Sequence, residues 1–294
     1  MSIKTVKHLV LIPIGPDTSH EYAHDTIDSI RHYTDPDRRI ILIDDRRKDD
    51  RFKIEGNDID LIVNTHESGK EGKLHATINQ GVIHALRHYR FEVMLRMDDD
   101  ALIIGERPED DAIERFCERP NVGQLGSFRL TCMGYQRDAS WAAGQLNKEM
   151  YPVANSDVGG SEIINELARQ LRKIYSEAVS YGYVDGESCI GCATYYSYEC
   201  LKQLVDKKLI DIPILGKSRL AEDHIMGLLV KAAGMEIEEF EQGGDPLCLD
   251  WLNLPCAPPE ILSRGKKITH TVKRWQEMDQ QSIRTFFRQQ RDLD

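Results

Sequence analysis

The stretch at residues 91–100, FEVMLRMDDD, decides the fold. Its first seven residues are mostly apolar and predict a buried strand, which ends in Asp98, Asp99 and Asp100. In open α/β sheets, ligands bind beyond the carboxyl ends of the strands. Three carboxylates at such a place form a hard-oxygen site suited to Mg²⁺ or Mn²⁺ shared with a phosphate-bearing ligand. The pattern therefore favours a nucleotide-dependent enzyme over a merely solvated acidic turn.

Strand and helix patterns alternate along the first hundred residues. Continuous apolar runs predict strands covered on both faces, and apolar residues at helical spacing predict helices between them. This alternation implies right-handed βαβ units, so the predicted fold class is α/β with a mainly parallel sheet flanked by helices. The predicted strands are residues 8–14, 40–43, 60–63 and 91–97, and the helical patterns are Ala23, Ile27 and Ile30, then Leu74, Ile78, Val82 and Leu86.

A second acidic pair, Asp44 and Asp45, follows the apolar run 40–43. If this strand lies beside and parallel to the one that ends at Asp98, both acidic groups emerge at the same edge of the sheet. One group is then free to accept hydrogen bonds from a ribose or base, while the other holds a metal. The alternative is a strand-ending turn that leads into the charged loop 46–50.

The length and the net charge of the chain limit its domain organisation and its possible partners. A chain of 294 residues fits one large domain with an extension rather than several independent units. The formal net charge of -11 argues against a broad nucleic-acid-binding surface, which needs clustered Lys and Arg. No stretch approaches the about 20 apolar residues of a membrane span, and the N-terminus lacks the apolar core of a secretion signal. We therefore expect a cytoplasmic protein.

The seven cysteines are an odd number in a chain too large to need disulfide staples, so we expect reduced thiols. Cys189 and Cys192 have C-x-x-C spacing, but a zinc ribbon needs a second such pair. The expectation for both is that they are small buried hydrophobes.

Glu222 and Asp223 open a segment in which apolar residues recur at helical spacing up to Gly234. Both acids therefore lie in the first turn of a predicted helix. Because a helix N-terminus stabilises carboxylates, complementation of the helix dipole is by itself a sufficient explanation for them.

With its motifs in this order, the chain resembles the glycosyltransferases of the GT-A (Rossmann-like) fold, particularly the family 2-like members. The resemblance spans residues 8–275. It rests on residues 43–45 (IDD), the helix entry 69–73 (GKEGK), the acidic triplet 98–100, residues 221–223 (AED) and His270. The chain lacks an evident Q-x-x-R-W signature, and residues 132–160 have no counterpart; both departures concern the acceptor.

The resemblance implies metal-dependent transfer of a sugar from a nucleotide-diphospho-sugar, with UDP favoured, to an acceptor hydroxyl. Asp223 would be the general base and Glu222 would orient the acceptor, which gives a single displacement with inversion. The donor-binding half would be about residues 1–105 and the acceptor half about 106–275. A divalent cation, Mn²⁺ or Mg²⁺, would neutralise the departing diphosphate. The implied donor-binding residues are Pro13, Asp44, Asp45, Lys73, Asp98 and Asp99, and the implied metal ligands are Asp98, Asp100 and His270.

Two segments bear on partners. Residues 132–160 are rich in Gly, Ala and polar residues with little periodicity, which predicts an irregular active-site lid or linker. Residues 276–294 predict an amphipathic helical tail that packs on the domain or on a second subunit in a homo-oligomer. The acceptor itself, whether a glycan, a lipid-linked glycan or another hydroxyl compound, is not readable from the sequence.

Three other functions compete. A sugar nucleotidyltransferase shares the fold and the cation but normally needs a glycine-rich basic loop after the first strand, where this chain has residues 14–18 (IGPDT). A non-catalytic nucleotide-sugar-binding module fits the donor motifs equally well, but it does not require Glu222 and Asp223. A metal-dependent phosphohydrolase would gather several His and Asp clusters rather than one triplet and one distant histidine.

Overall fold

The computed structural model describes residues 3–46, 49–64, 73–152 and 161–293. The strands in these ranges are β1 (Lys4–Thr5), β2 (His8–Ile14), β3 (Arg38–Asp44), β4 (Ile59–Val63), β5 (Tyr89–Arg90), β6 (Val93–Met97), β7 (Leu102–Ile103), β8 (Val122–Gly126), β9 (Ala193–Ser197), β10 (Glu236–Glu239), β11 (Leu247–Leu249), β12 (Ile268–His270), β13 (Arg274–Trp275) and β14 (Met278–Asp279). The helices are α1 (His20–Tyr33), α2 (Lys73–His88), α3 (Pro108–Glu118), α4 (Ser140–Met150), α5 (Ser161–Ser180), α6 (Tyr198–Asp206), α7 (Glu222–Ala232), α8 (Pro258–Ser263) and α9 (Gln280–Arg291), with a 3₁₀ turn at Pro213–Lys217.

The central sheet has the strand order β10-β8-β9-β6-β2-β3-β4 in the described part of the chain. Its strands run parallel to their neighbours except β9, which is antiparallel to both β6 and β8. The predicted α/β fold class with a mainly parallel sheet flanked by helices is confirmed, and the predicted strands of the first hundred residues are β2, β3, β4 and β6.

The strand β2 divides its side chains between two hydrophobic cores. Leu9 and Leu11 pack on the face covered by α2, α5 and α7, whereas Val10 and Ile12 pack on the face covered by α1 and α3. A central strand covered on both faces has no polar side. This arrangement explains why the sequence of β2 is continuously apolar rather than alternating.

A smaller sheet, in the order β11-β12-β7, stands beside the acidic triplet. β12 is antiparallel to β7, with Thr269 opposite Leu102, and the backbone N–H of Val272 donates to the carbonyl oxygen of Asp100 at 3.3 Å. This register brings His270, the last residue of β12, next to the turn that follows β6.

Helix α9 packs against α1 through a buried ion cluster. Asp25 of α1 has a side chain 2% exposed and pairs with Arg284 Nη1 at 2.8 Å, and two further arginines of α9 also pair with it. Arg284 also donates to the carbonyl oxygen of Asp99 at 3.4 Å, and Thr26 Oγ1 donates to the same oxygen at 2.8 Å. The tail helix therefore supports the turn that carries the acidic triplet. Within the described ranges, no helix has the length and apolar character needed to cross a bilayer.

The segment 132–160 is not irregular throughout, because it contains helix α4. Ala142, Leu146 and Met150 are buried at a spacing of four residues and pack this helix into the body. The helix was not evident from the sequence, because its buried face is short and begins with an alanine. Gly144 also interrupts the helical pattern. Residues 153–160 lie outside the described ranges.

We predict that Asp25→Asn lowers the free energy of unfolding by about 3 kcal/mol, because Arg284 and Arg291 of α9 then remain buried without a carboxylate partner. Urea unfolding measures this change. Asp28→Asn, at an exposed position of the same helix, is the matched control, and we expect it to stay within about 0.5 kcal/mol of the wild type. If the two variants lose the same stability, the ion cluster does not hold α9 in place.

Candidate active site

A cavity of about 510 Å³ opens at the carboxyl ends of β2, β3 and β6. These strands are parallel neighbours in the sheet, so the residues that follow them meet at one edge. Of the residues predicted to bind the donor or the metal, Pro13, Asp45 and the triplet Asp98, Asp99 and Asp100 line this cavity. Its lining also includes Thr18, Tyr22, Thr77, Lys273 and Gln280.

The two acids at the end of β3 have different surroundings. Asp44 is 0% exposed and accepts the backbone N–H groups of Arg46 and Phe52, each at 3.0 Å, so it holds the loop that follows the strand. Asp45 lines the cavity and accepts from Asn64 Nδ2 at 3.1 Å. Asp44 is not among the cavity-lining residues, and its donor-binding role stays a prediction.

The glycine-rich helix entry falls largely outside the described part of the chain. Residues 69–72 lie outside it, as does the side chain of Lys73, the first residue of α2. The first turn of α2 does reach the cavity, because Leu74 and Thr77 line it. A donor contact from Lys73 therefore stays a prediction.

Arg96 of β6 connects the cavity to helix α7. Its guanidinium is 1% exposed, with Nη1 2.9 Å from Asp98 Oδ1 and with Nε 3.2 Å from Glu222 Oε1. A charge this deeply buried requires compensating polar partners, and Arg96 has the carboxyl groups of Asp98 and Glu222. Since Glu222 is the first residue of α7, this bridge fixes the N-terminus of that helix beside the acidic triplet.

Burial dominates the electrostatics of this bridge. It raises the pKa of Glu222 to about 8 although Arg96 opposes the shift. Burial also works against the charge of Arg96, but Asp98 and Glu222 together hold the pKa of the guanidinium above its ordinary value. The proton on Glu222 is therefore retained into the neutral range while Arg96 stays charged.

His270 faces two members of the triplet. Its Nε2 lies 2.8 Å from Asp100 Oδ1 and 3.6 Å from Asp98 Oδ2. Its Nδ1 lies 2.7 Å from the carbonyl oxygen of Asp250. Because a carbonyl oxygen only accepts, Nδ1 carries a hydrogen, and Nε2 is the nitrogen presented to the acids. Burial lowers the pKa of His270, but Cys192 and Asp100 outweigh it and raise the pKa well above its ordinary value.

Asp100 is held by three donors. Besides His270, Thr271 Oγ1 donates to it at 3.0 Å and Lys273 Nζ lies 2.7 Å away. Burial raises the pKa of Asp100, but His270 and Lys273 more than offset this and bring it well below its usual range. Asp99 differs, because burial raises its pKa to about 6 while its main side-chain partner is the neutral hydroxyl of Thr18.

Asp223 has a fixed orientation in the first turn of α7. Its Oδ2 accepts the backbone N–H of Gly191 at 3.1 Å, and its Oδ1 accepts that of His224 at 2.8 Å. A Cβ at position 191 would lie 3.0 Å from Glu222 Oε2 and 3.2 Å from Asp223 Cβ, so glycine permits this close approach. Asp223 and Glu222 do not line the cavity itself but are tied to it through Arg96.

Sequence reasoning missed two side chains of this site. Arg96 was treated as part of an apolar run, although a basic residue inside a buried strand is itself a signal of a buried ion pair. Cys192 was expected to be a small hydrophobe, and the structure places it beside Asp98 and His270. No local pattern marks Lys273 as the partner of Asp100.

No protein-family model matches the sequence, and no curated protein matches it. Among solved structures, the fragment 1–349 of S. aureus TarS has a TM-score of 0.44 and 15% identity, with coverage of 80% of this chain and 58% of that chain. The same fragment in complex with UDP-GlcNAc gives 0.44 and 15%, with coverage of 94% and 61%. In complex with UDP it gives 0.41 and 14%, with coverage of 76% and 55%. This chain thus spans about three fifths of their length, and the likeness concerns the fold alone.

We predict that Glu222→Gln flattens the pH dependence of stability. Between the ordinary carboxyl pKa and the raised value of about 8, the folded protein keeps a proton on Glu222 that the unfolded chain has lost. Glu222 should therefore contribute a fall in the wild-type free energy of unfolding as pH rises through this window, by up to about 1.4 kcal/mol per pH unit, and Glu222→Gln should remove this contribution.

Urea unfolding at several pH values measures the slope. Glu199→Gln, at an exposed position in the first turn of α6, is the matched control and should leave the slope unchanged. An identical slope in the wild type and in Glu222→Gln would contradict the assignment of a buried, proton-retaining carboxyl.

Proposed function

We propose that the protein transfers a sugar from a nucleotide-diphospho-sugar, with UDP as the favoured carrier, to an acceptor hydroxyl. The observation that carries this proposal is the convergence of acids from separate parts of the chain. Asp45 and the triplet share one cavity, and Arg96 ties that cavity to Glu222 and to the neighbouring Asp223. A non-catalytic binding module does not require the connection from the cavity to Glu222 and Asp223.

The donor side lies in about residues 1–105. Asp45 and Thr77 line the part of the cavity next to β3 and α2, where side-chain oxygens can accept or donate hydrogen bonds to a ribose or base. Pro13, at the end of β2, supplies an apolar wall. The diphosphate then lies toward the acidic triplet and the ammonium group of Lys273.

The carboxylates of the triplet supply donor atoms that a divalent cation binds. His270 has the tautomer that presents Nε2 to the same position. Carboxylates of Asp98 and Asp100 are suitable ligands for Mn²⁺ or Mg²⁺. The backbone carbonyl of Asp250 orients the imidazole of His270, as partners of metal-bound histidines commonly do. When bound, such a cation supplies Lewis-acid stabilisation to the departing diphosphate. Lys273 adds positive charge at the same wall of the cavity.

We assign the general base to Asp223 and the orientation of the acceptor to Glu222. Two backbone N–H groups fix the Asp223 carboxylate, and its side chain is 19% exposed, so an acceptor hydroxyl can reach it. The absence of a side chain at Gly191 leaves room beside both acids. A base on the acceptor side gives a single displacement with inversion at the anomeric carbon.

We predict that Asp223→Asn retains donor affinity and loses transfer by at least about 100-fold, because only proton removal from the acceptor is affected. The assay incubates the purified protein with UDP-sugars, a divalent cation and candidate acceptors, and follows UDP release and sugar transfer. Calorimetry measures donor binding separately. Wild-type turnover in Asp223→Asn would reject the base assignment, and unchanged donor with the wild type under all conditions would favour the binding module.

We predict that Asp100→Ala removes the dependence of donor binding on the cation, because it deletes a proposed ligand. Calorimetric titration of UDP with and without Mn²⁺ gives the ratio of the two dissociation constants, which should fall to about one in the variant. Asp17→Ala, an exposed acid of the same cavity lining, is the control and should keep the wild-type ratio. A wild-type ratio in Asp100→Ala would remove Asp100 from the metal site.

A further inference from the structure

The thiol of Cys192 lies in a group that contains one carboxylate and one imidazole. One potential ligand atom from each of Asp98, Cys192 and His270 lies within 4.8 Å of the others. Sheet register creates this juxtaposition. Because β9 is antiparallel to β6 and Met97 pairs with Ala193, the preceding Cys192 stands opposite Asp98, whose backbone N–H donates to the Cys192 carbonyl at 2.9 Å.

The spacing within the group suits ligands of one ion. Two ligands of a tetrahedral Zn²⁺, each about 2.1 Å from the metal, are about 3.4 Å apart. Asp98 Oδ2 and His270 Nε2 are 3.6 Å apart, which matches this separation. His270 Nε2 and Asp100 Oδ1 are 2.8 Å apart, which is a hydrogen-bond distance. Asp98 is therefore better spaced than Asp100 to share an ion with His270.

One carbonyl oxygen orients two of the three side chains. The oxygen of Asp250 accepts from His270 Nδ1 at 2.7 Å and lies 3.6 Å from Cys192 Sγ. The first contact turns Nε2 toward Asp98, and the second keeps the thiol next to the imidazole. Orientation of a histidine ligand by a backbone carbonyl is the usual support of a protein metal site. The contact of the Cys192 thiol belongs to the metal-free protein, because a thiolate has no proton to donate.

The donor atoms select the kind of cation. A thiolate with an imidazole and one carboxylate suits borderline ions such as Zn²⁺ and Co²⁺, whereas Mg²⁺ prefers oxygen ligands throughout. Cys192 and His270 are only 5% and 4% exposed, while Asp98 lines the cavity. Because only Asp98 of the three lines the cavity, a coordination position left open by three protein ligands would face the cavity on the side of Asp98, as in catalytic rather than structural zinc sites.

We propose that Asp98, Cys192 and His270 together bind a borderline divalent cation with the Cys192 sulfur as thiolate. The thiol proton, and any proton on Nε2 of His270, pass to solvent as the ion binds. This site belongs to the proposed function. It rests on that function only where it assigns the ion to binding the donor diphosphate. Cys192 adds to the proposed cation site a ligand from outside the acidic triplet, and it favours a thiophilic ion over Mg²⁺.

Titration of the purified full-length protein with Co²⁺ tests the proposal, because a cobalt–thiolate bond gives a near-ultraviolet charge-transfer band that oxygen and nitrogen ligands do not give. The wild type should develop this band and lose it on addition of Zn²⁺. Cys192→Ala and the nearly isosteric Cys192→Ser should lack it and bind Co²⁺ at least about 100-fold more weakly. His270→Ala should also weaken binding.

Cys189→Ala is the matched control, because Cys189 is a buried thiol three positions earlier in the same C-x-x-C and is not part of the group. It should keep the cobalt band. A wild type without the band, or a band that persists in both Cys192 variants, would overturn the proposal. Donor turnover is measured in parallel: cation-dependent transfer without a thiolate band rejects only this inference, while a band without any donor binding or transfer supports it and rejects the proposed function.

Discussion

The buried guanidinium of Arg96 is the interaction on which the rest of the site depends. It lies inside the central sheet, where a lone charge would be strongly destabilising. Asp98 at the end of β6 compensates this charge, and the carboxyl group of Glu222 at the start of α7 makes a second polar contact with it. The same group therefore links the helix that carries Asp223 to the acidic triplet.

The carboxyl edge of the sheet explains how distant acids come together. β2 lies between β3 and β6, and all three are parallel, so Asp45 and the triplet emerge into one cavity. The smaller sheet adds His270 from the C-terminal part of the chain. Helix α9 supports the turn through the hydrogen bond from Arg284 to the carbonyl oxygen of Asp99. The tail is thus part of the architecture of the site.

The fold was largely predictable from sequence, because strands covered on both faces are continuously apolar and end in acids at ligand-binding positions. Part of the site was predictable for the same reason. Asp44 and Asp45 show what the sequence could not predict. Their side chains lie at adjacent positions and therefore point to opposite sides of the sheet, and only the register of β3 decides which of them faces the cavity. The role of Cys192 was not predictable because His270 is distant from it in sequence and the antiparallel placement of β9 has no local signature. For Arg96, the contact with Glu222 was not predictable because the two residues are distant in sequence. Helix α4 was not predicted because its buried face is short.

We propose that Asp98, Cys192 and His270 surround one cation that contacts the diphosphate of a sugar donor. Crystals grown with UDP and Zn²⁺, or with UDP and Mn²⁺, test it most directly through anomalous diffraction at the absorption edge of each metal. The account predicts an anomalous peak between Asp98 and His270, with diphosphate oxygens completing the coordination. A nucleotide bound elsewhere, or a cavity with nucleotide but no metal peak beside these side chains, would contradict it.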